Sequence, residues 1–256
     1  MNVPPVNQPN KPNEIPWYLS PRWPLALWAF VFAPKGTYIA RQDHDAVWNR
    51  GAYLIEGLGH CGACHTPRGW AFQEKALDAS SAAFLQGAEL DAWSAPNLLR
   101  GNLRTGLGAW SQDDILMLIK TGHNERATVF GSMLDVINNS TPYLTDEDLS
   151  AMAVYLKSLP AAAQQSAFTY NDATARDLES GKPNSEGAEI FLGACAACHG
   201  VDGKGQVPLM PPRAGNPVVL DGNPSSLINL VLNGAEPLVV KGIPDAYRMP
   251  QFRIQK

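Results

Sequence analysis

The chain has 256 residues, of which 45% are hydrophobic and 17% are charged, and its formal net charge is −4 at pH 7. This length and composition are typical of a folded protein of one or two domains, and they exclude disorder as its general state. Because the excess charge is negative, nucleic acid is a poor candidate partner.

Residues 1–40 are predicted to form a proline- and tryptophan-rich arm. Prolines recur through residues 1–24, which excludes regular helix and favours an extended conformation. A dense apolar segment follows at residues 23–32, WPLALWAFVF, which is too short for a membrane-spanning helix of roughly 20 residues. We expect this segment to pack as core across the next domain, with a membrane-surface or subunit contact as the alternative.

The first five residues, MNVPP, contain neither the basic nor the apolar part of a signal peptide. We therefore expect the sequence to be a mature form, a shortened version or a gene fragment.

A helical pattern runs from Asp45 through Trp48 toward the first pair of cysteines, and Gly57 and Gly59 are expected to break it. All four cysteines of the chain then fall in two C-x-x-C-H segments, CGACH at residues 61–65 and CAACH at residues 195–199. This pattern is typical of covalent c-type haem attachment, because two thiols three positions apart bond one haem and the adjacent histidine binds its iron. Two haems are therefore predicted, held by the following anchors and proximal ligands: Cys61, Cys64, His65, Cys195, Cys198 and His199.

Two other uses of paired cysteines fit less well. Ribbon-type zinc sites separate their pairs by roughly 15–20 residues, whereas these pairs lie in opposite halves of the chain. A thioredoxin-like centre needs a βαβ pattern, and neither segment lies between alternating apolar strands. Neither alternative explains a histidine after both pairs.

A capped helix and a loop methionine are predicted after the first haem segment. Ser111 and Asp114 form a capping-box start to a helix that ends before Gly122. Met133 follows in a loop, and its thioether is a soft ligand suited to the sixth position of haem iron. We expect His65 and Met133 to be the first axial pair. The first half then closes with a helix that Thr145 caps.

The second half repeats this layout at low residue identity. A helical pattern at residues 185–192 precedes its cysteines, and Ser225 or Ser226 opens a helix that ends before a glycine. Met249 then follows in a loop, so that His199 and Met249 are the expected second axial pair, with Met210 as the rival ligand.

Arg68 and Trp110 are candidate contacts to the haem propionates or the haem edge, since a guanidinium pairs with a carboxylate and an indole N–H can donate. Ordinary packing or surface roles are the alternative for both residues.

Several segments resemble the multihaem cytochrome c subunit of membrane-bound bacterial dehydrogenases that oxidise alcohols, gluconate, fructose and related sugars. The resemblance covers nearly the whole chain and rests on residues 48–54, 61–68, 95–98, 105–111, 140–146, 187, 195–199, 214–217 and 249–252. Such subunits have three haem domains, of which this chain resembles the second and third.

The resemblance implies a mainly α fold with two tandem class-I-type cytochrome c domains and long loops. Residues 41–160 would be the first domain, residues 161–184 a linker rich in Ala, Gln, Ser and Asp, and residues 185–256 a second domain that lacks its closing helix. Arg213 departs from the family, which usually has an apolar residue there, and its charge is expected to meet a haem propionate or to lie on the surface.

The implied function is electron transfer, with substrate oxidation on another subunit. A flavin- or quinone-containing catalytic subunit would reduce two covalently bound haems c, and electrons would pass to ubiquinone at the periplasmic face of the cytoplasmic membrane. Cysteines that remain bound as thioethers also indicate an oxidising compartment. Two alternatives are a dihaem peroxidase, which needs an open sixth position, and a soluble dihaem shuttle to a terminal oxidase.

Overall fold

The computed structural model describes residues 9, 12, 14–17, 20–33, 36–90, 92–99, 103–160, 166–207, 209–245 and 247–253. Most of the predicted arm before residue 20, and residues 161–165 of the predicted linker, lie outside the described residues. The chain divides into two units, residues 1–37 and residues 38–256, and each is taken by itself below.

The first unit contains helix α1, Trp23–Phe32. Proline is tolerated in the first turn of a helix, where its missing N–H leaves no bond unmade, and Pro24 occupies that turn. No residue of α1 is buried, and Trp23 and Phe30 are 72% and 68% exposed. The expectation that this segment packs as core across the next domain stays a prediction. Within the described residues, none of the helices is both long enough and apolar enough to span a membrane.

The second unit is mainly α, which confirms the predicted class. Its helices are α2 Ala46–Ala52, a π-helix Tyr53–Leu58, α3 Gly62–His65, α4 Gln112–Thr121, α5 Met133–Asn139, a 3₁₀-helix Thr141–Tyr143, α6 Asp146–Ser158, α7 Ala173–Glu179, α8 Glu186–Ala194, α9 Ala196–His199, α10 Pro217–Leu220 and α11 Ser225–Asn233. Its strands form two antiparallel pairs, β1 Ala88–Leu90 with β2 Trp93–Ala95, and β3 Val239–Val240 with β4 Ile243–Pro244.

Side chains cap five of the described helices by accepting a hydrogen bond from a backbone N–H in the first turn. Asp45 caps α2, Ser111 caps α4 within a full capping box, Thr145 caps α6, Ser185 caps α8 and Asn216 caps α10. The predicted starts of α4 and α6 are therefore confirmed. Helix α11 begins at Ser225 as predicted but has no side-chain cap.

The helix before the first haem segment does not break at Gly57 as expected. The chain widens into the π-helix, which continues to Leu58, and Gly59 N–H then donates to the carbonyl of Leu54 at 2.7 Å. π-Helical turns are rare and occur often at functional sites. Here the π-helix ends at Leu58, three residues before Cys61.

The main core lies where α2 packs against α6. A Cβ on Gly51 would lie 2.0 Å from the carbonyl oxygen of Ala151, so only glycine permits this close approach. Beside it the rings of Trp48 and Tyr155 pack edge to face with centroids 5.0 Å apart. The remaining buried members of this core are distributed along the whole segment between residues 48 and 159.

Residues of the two halves also contact each other within the second unit. Leu238 joins a buried cluster with Val129, Leu134 and Ile137. Ser226 exchanges hydrogen bonds with the backbone of Ser94 at 2.8 and 3.0 Å. Helix α7 occupies part of the segment predicted as a linker. The division into two cytochrome domains stays a prediction.

Candidate functional site

Helix α3 carries the first cysteine pair on a single helical turn. Cys61 precedes this helix and Cys64 lies within it, and the N–H of Cys64 donates to the carbonyl of Cys61 at 3.2 Å. Both residues are free thiols, Cys64 exposed and Cys61 half-buried. Burial raises the pKa of Cys61 to about 12, so this thiol remains protonated at neutral pH. The pair is therefore available for covalent attachment.

His65 is held in the form that binds metals. Its Nδ1 lies 2.8 Å from the carbonyl oxygen of Pro96, and a proton on Nδ1 donated to this oxygen leaves Nε2 free to bind iron. Burial lowers the pKa of His65, although the bond to Pro96 opposes this shift, and the ring stays neutral at neutral pH. The carbonyl of His65 in turn accepts from Gly87 N–H at 2.7 Å, which fixes the loop that follows.

The second segment repeats this arrangement on helix α9. Cys195 and Cys198 are free thiols, and His199 is 9% exposed. The Nδ1 of His199 lies 3.2 Å from the carbonyl oxygen of Pro211. Burial, and then the charge of Arg213, lowers the pKa of His199, so this imidazole is also neutral at neutral pH.

These residues fit covalent haem c better than a metal ion held by both cysteine pairs. In the described part of the chain, no three His, Cys, Asp or Glu side chains come together as a metal site, and the two cysteine pairs do not share one. Each histidine has one ring nitrogen at a proline carbonyl and the other available. In addition, the buried Nε of Arg213 has no hydrogen-bond partner among the described residues.

The two candidate methionine ligands lie in different settings. Met133 is the first residue of α5 rather than a loop residue as predicted, and it packs beside the cluster that contains Leu134. Met249 lies in an irregular segment, where its carbonyl accepts from Ala235 N–H at 3.0 Å. Both methionines are half-buried. Their pairing with the two histidines stays a prediction.

Comparison with known proteins identifies part of the chain. Residues 185–255 match the family model for cytochrome c. This part of the chain is therefore similar to a cytochrome c domain. It contains Cys195, Cys198 and His199, which form a C-x-x-C-H segment of the kind that attaches haem c covalently.

The whole chain is similar to cytochrome subunits of dehydrogenases. It is 47% identical over 98% of its length to the gluconate 2-dehydrogenase cytochrome c subunit of Pantoea cypripedii, of which it covers 58%. It is also 47% identical over 98% of its length to the cytochrome c subunit of a quinone alcohol dehydrogenase from Gluconacetobacter polyoxogenes, covering 54%. For the fructose dehydrogenase cytochrome subunit of Gluconobacter japonicus, the identity is 34% over 91% of this chain and 50% of the relative. The chain thus spans little more than half of these relatives.

The side chain of Arg68 contacts the backbone of the first C-x-x-C-H segment. Its guanidinium donates to the carbonyls of Ala63 and Phe72, and it lies 3.9 Å from the carboxylate of Glu74. Arg68 therefore holds the turn between Cys61 and Cys64 in place. Trp110 is buried. The predicted haem contacts of Arg68 and Trp110 stay predictions.

A buried polar network beside the first haem segment was not predicted. Glu56 lies in the π-helix and accepts hydrogen bonds from the hydroxyl of Tyr155, from Arg41 at 3.0 Å and from Ala79 N–H at 3.3 Å. Burial, followed by the bond to Glu56, raises the pKa of Tyr155. The network ties the π-helix to α6. No local motif signals it, because its side chains are far apart in the sequence.

Proposed function

We propose that this chain is the electron-transfer part of a cytochrome c subunit in a membrane-associated dehydrogenase complex. A flavo- or quinoprotein catalytic subunit would oxidise the substrate and donate electrons, and ubiquinone would accept them at the periplasmic face of the cytoplasmic membrane. Relatives that are 44–47% identical to this chain are named as cytochrome c subunits of gluconate and alcohol dehydrogenases, which supports this role.

The observation that carries the proposal is the repeated geometry of the two histidines. Each follows a C-x-x-C pair on a short helix and places Nδ1 at a proline carbonyl. When bound, each haem c supplies a site that takes up and releases one electron. The protein's task is then to hold each histidine in one orientation, so that little has to rearrange when the electron arrives. We infer two covalent haems, one at each segment.

We infer that His65 pairs with Met133 and His199 with Met249 as axial ligands. Each methionine follows a helix that ends at a glycine with positive φ, Gly122 at 81° or Gly234 at 73°. The rival Met210 precedes Pro211, whose carbonyl contacts His199. Its backbone therefore lies beside the carbonyl that holds His199, whereas a second ligand to the same iron would have to come from another part of the fold. This favours Met249.

We infer that residues 41–160 and 185–256 are two tandem cytochrome c domains joined through residues 161–184. The repeated order of capped helix, haem segment, second helix and glycine supports this division. The two halves differ in what surrounds the glycine of the helix before each C-x-x-C-H segment. Gly51 faces α6, whereas a Cβ at Gly187 would meet no described residue within 4 Å. In the described residues, the second domain therefore has no counterpart of α6 on this face.

The exposed helix α1 is the part of the chain that we assign to the membrane surface. It is apolar on all sides, and Leu25, Leu27 and Val31 are 59–66% exposed. Exposed apolar patches of this kind mark contacts with membranes or partners. Tryptophan favours the boundary between lipid and water, and Trp23 and Trp28 lie on this helix.

The proposal is tested by producing the chain together with a catalytic dehydrogenase subunit and a haem-attachment system. We expect the intact mass to show two haem additions, one of which is lost in a C61S/C64S variant and the other in C195S/C198S. Addition of the substrate of the catalytic subunit should reduce both haems, and a quinone should reoxidise them. A chain that carries haem but turns over peroxide would instead support the peroxidase alternative.

A further inference from the structure

The two halves carry different residues two positions after the proline whose carbonyl contacts the histidine. In the first half, Pro96 holds His65, and Leu98 follows two residues later. In the second half, Pro211 holds His199, and Arg213 follows two residues later. Leu98 and Arg213 are therefore equivalent by their distance from the carbonyl that orients the histidine.

The backbone fixes both residues, but their side chains meet different surroundings. The N–H of Leu98 donates to Leu85 at 2.9 Å, and its side chain packs against the main core. The N–H of Arg213 donates to Gly203 at 2.7 Å, and the N–H of Ala214 donates to the same carbonyl at 2.9 Å. The loop thus holds a guanidinium in the second half where the first half has an aliphatic side chain.

Arg213 carries a charge that the described part of the protein does not balance. Its Nε is buried and has no hydrogen-bond partner, and none of the ion pairs among the described residues includes it. Burial lowers its pKa, but an arginine remains protonated at any physiological pH. A charged group that is partly removed from water without a partner is costly. A haem attached at Cys195 and Cys198 would lie beside the loop of Arg213, because the carbonyl of Pro211 in that loop contacts His199.

The loop that carries Arg213 lies against the second C-x-x-C-H segment. The carbonyl oxygen of Pro211, two residues before Arg213, lies 3.2 Å from Nδ1 of His199. In the same loop, Gly205 N–H donates to the carbonyl of His199 at 2.8 Å. Arg213 therefore lies on the loop that holds the candidate proximal imidazole.

We propose that Arg213 is a fixed positive charge that raises the reduction potential of the haem attached at Cys195 and Cys198. The inference rests on the proposed function, since it requires a haem at this segment. Reduction adds one electron to the iron site and removes one positive charge from it. A cation held nearby stabilises the reduced form relative to the oxidised form. Arg213 keeps its proton in both forms, so no atom moves. The Leu98 position of the first half has no such charge.

The test compares charge with size at position 213 in the full holoprotein. R213M removes the charge at similar length, R213K keeps it, and R176M removes an exposed cation of the same half, whose side chain is 64% exposed. Peptide mass first establishes haem at both segments. Spectroscopic redox titration with mediators then gives the potentials of the two haems.

We expect R213M to lower the reduction potential of one of the two haems by about 59 mV. This shift corresponds to an about tenfold lower equilibrium constant for one-electron reduction. R213K should retain most of the wild-type potential, and R176M should leave both potentials unchanged. If R213M yields no holoprotein, R213Q gives the same comparison with a smaller neutral side chain.

Two results would overturn the assignment. One is an unchanged pair of potentials in R213M with both haems attached. The other is an equal shift in R213K and R213M, which would reveal a packing effect rather than a charge effect. Failure of the proposed function looks different, because the peptide mass would then show no haem on Cys195 and Cys198, and the assignment to Arg213 would fall with it.

Discussion

His65 and His199 each direct Nδ1 to a proline carbonyl, which fixes the ring and leaves the other nitrogen for iron. Burial is the first cause of the lowered pKa of both rings. A neutral imidazole is the form that binds a metal without first losing a proton. The two residues are therefore prepared as ligands by their surroundings and not by the C-x-x-C-H spacing alone.

Met133 provides a residue-scale test of the first axial pair. We expect Met133→Ala to lower the potential of one haem, since a thioether ligand raises it, and to open the iron to added ligands such as imidazole or cyanide. Redox titration and ligand-binding spectra measure these effects. Met117, which is 44% exposed on α4, is the matched control, and M117A should change neither property. An unaltered titration in M133A would exclude Met133 as a ligand.

The cysteines and histidines of the two C-x-x-C-H segments could be selected as candidate attachment residues from the sequence, because this spacing has few other uses in one short segment. Glu56 and Tyr155 were not predictable, because their contact depends on how α6 lies against the π-helix. The prolines whose carbonyls contact the two histidines could not be predicted from the sequence either. Pro96 lies 31 residues after His65, whereas Pro211 lies only 12 residues after His199, so a search for equal spacing finds no pair.

Capping explains why several elements could be predicted from short stretches of sequence. Ser111 with Asp114, and Thr145 with Asp148, each satisfy backbone groups within their own first turn, so the signal is local. Ser226 shows the limit of this reasoning. Its hydroxyl bonds to the backbone of Ser94 in the other half instead of capping α11.

The glycine of the helix before each haem segment provides an element-scale test. A methyl group at Gly51 would clash with the backbone of Ala151, whereas a methyl group at Gly187 would meet no described residue within 4 Å. We expect Gly51→Ala to destabilise the protein by about 1–3 kcal/mol, because overpacking outweighs the better helix propensity of alanine. Gly187→Ala should stabilise it by about 0.5–1 kcal/mol, the usual gain for this exchange in a helix.

Urea unfolding of the two holoproteins, followed by circular dichroism, gives the two free energies. Each variant is the control for the other, since both add one methyl group to a helix that precedes a cysteine pair. If the free energies of unfolding of Gly51→Ala and Gly187→Ala were equal, α2 would not pack against α6 as closely as described. If both destabilised the protein equally, an unseen contact would cover Gly187.

At the scale of the whole molecule, residues 38–256 contain more contact between the halves than two domains on a linker would require. Asn138 accepts from Val239 N–H at 2.7 Å and donates to Pro237 at 3.3 Å, and Leu238 between them enters the cluster around Ile137. Periodicity and spacing predicted each half but not this interface. Fixed contacts of this kind favour a constant distance between the two haem segments, which suits transfer of electrons between them.

Helix α1 provides the whole-molecule test, because its apolar side chains are exposed while no described helix is able to span a membrane. Burying one leucine or phenylalanine side chain contributes about 1.5–3 kcal/mol, so replacing Leu25 and Phe30 with serine should weaken binding to lipid vesicles by at least about tenfold for each residue. Deletion of residues 1–34 should abolish it. Co-sedimentation of the holoprotein with vesicles of phosphatidylethanolamine and phosphatidylglycerol measures the affinity.

The control for that experiment is Ile243, an apolar residue of β4 that is 74% exposed. I243S removes a comparable exposed side chain from another part of the chain and should leave vesicle binding unchanged, because a single isolated apolar residue does not form a membrane-binding patch. If L25S and F30S sedimented with vesicles as the wild type does, α1 would not be the membrane contact. Retained membrane binding after deletion of residues 1–34 would then place that contact within residues 35–256. Loss of binding to the catalytic subunit alone would instead make α1 a subunit contact.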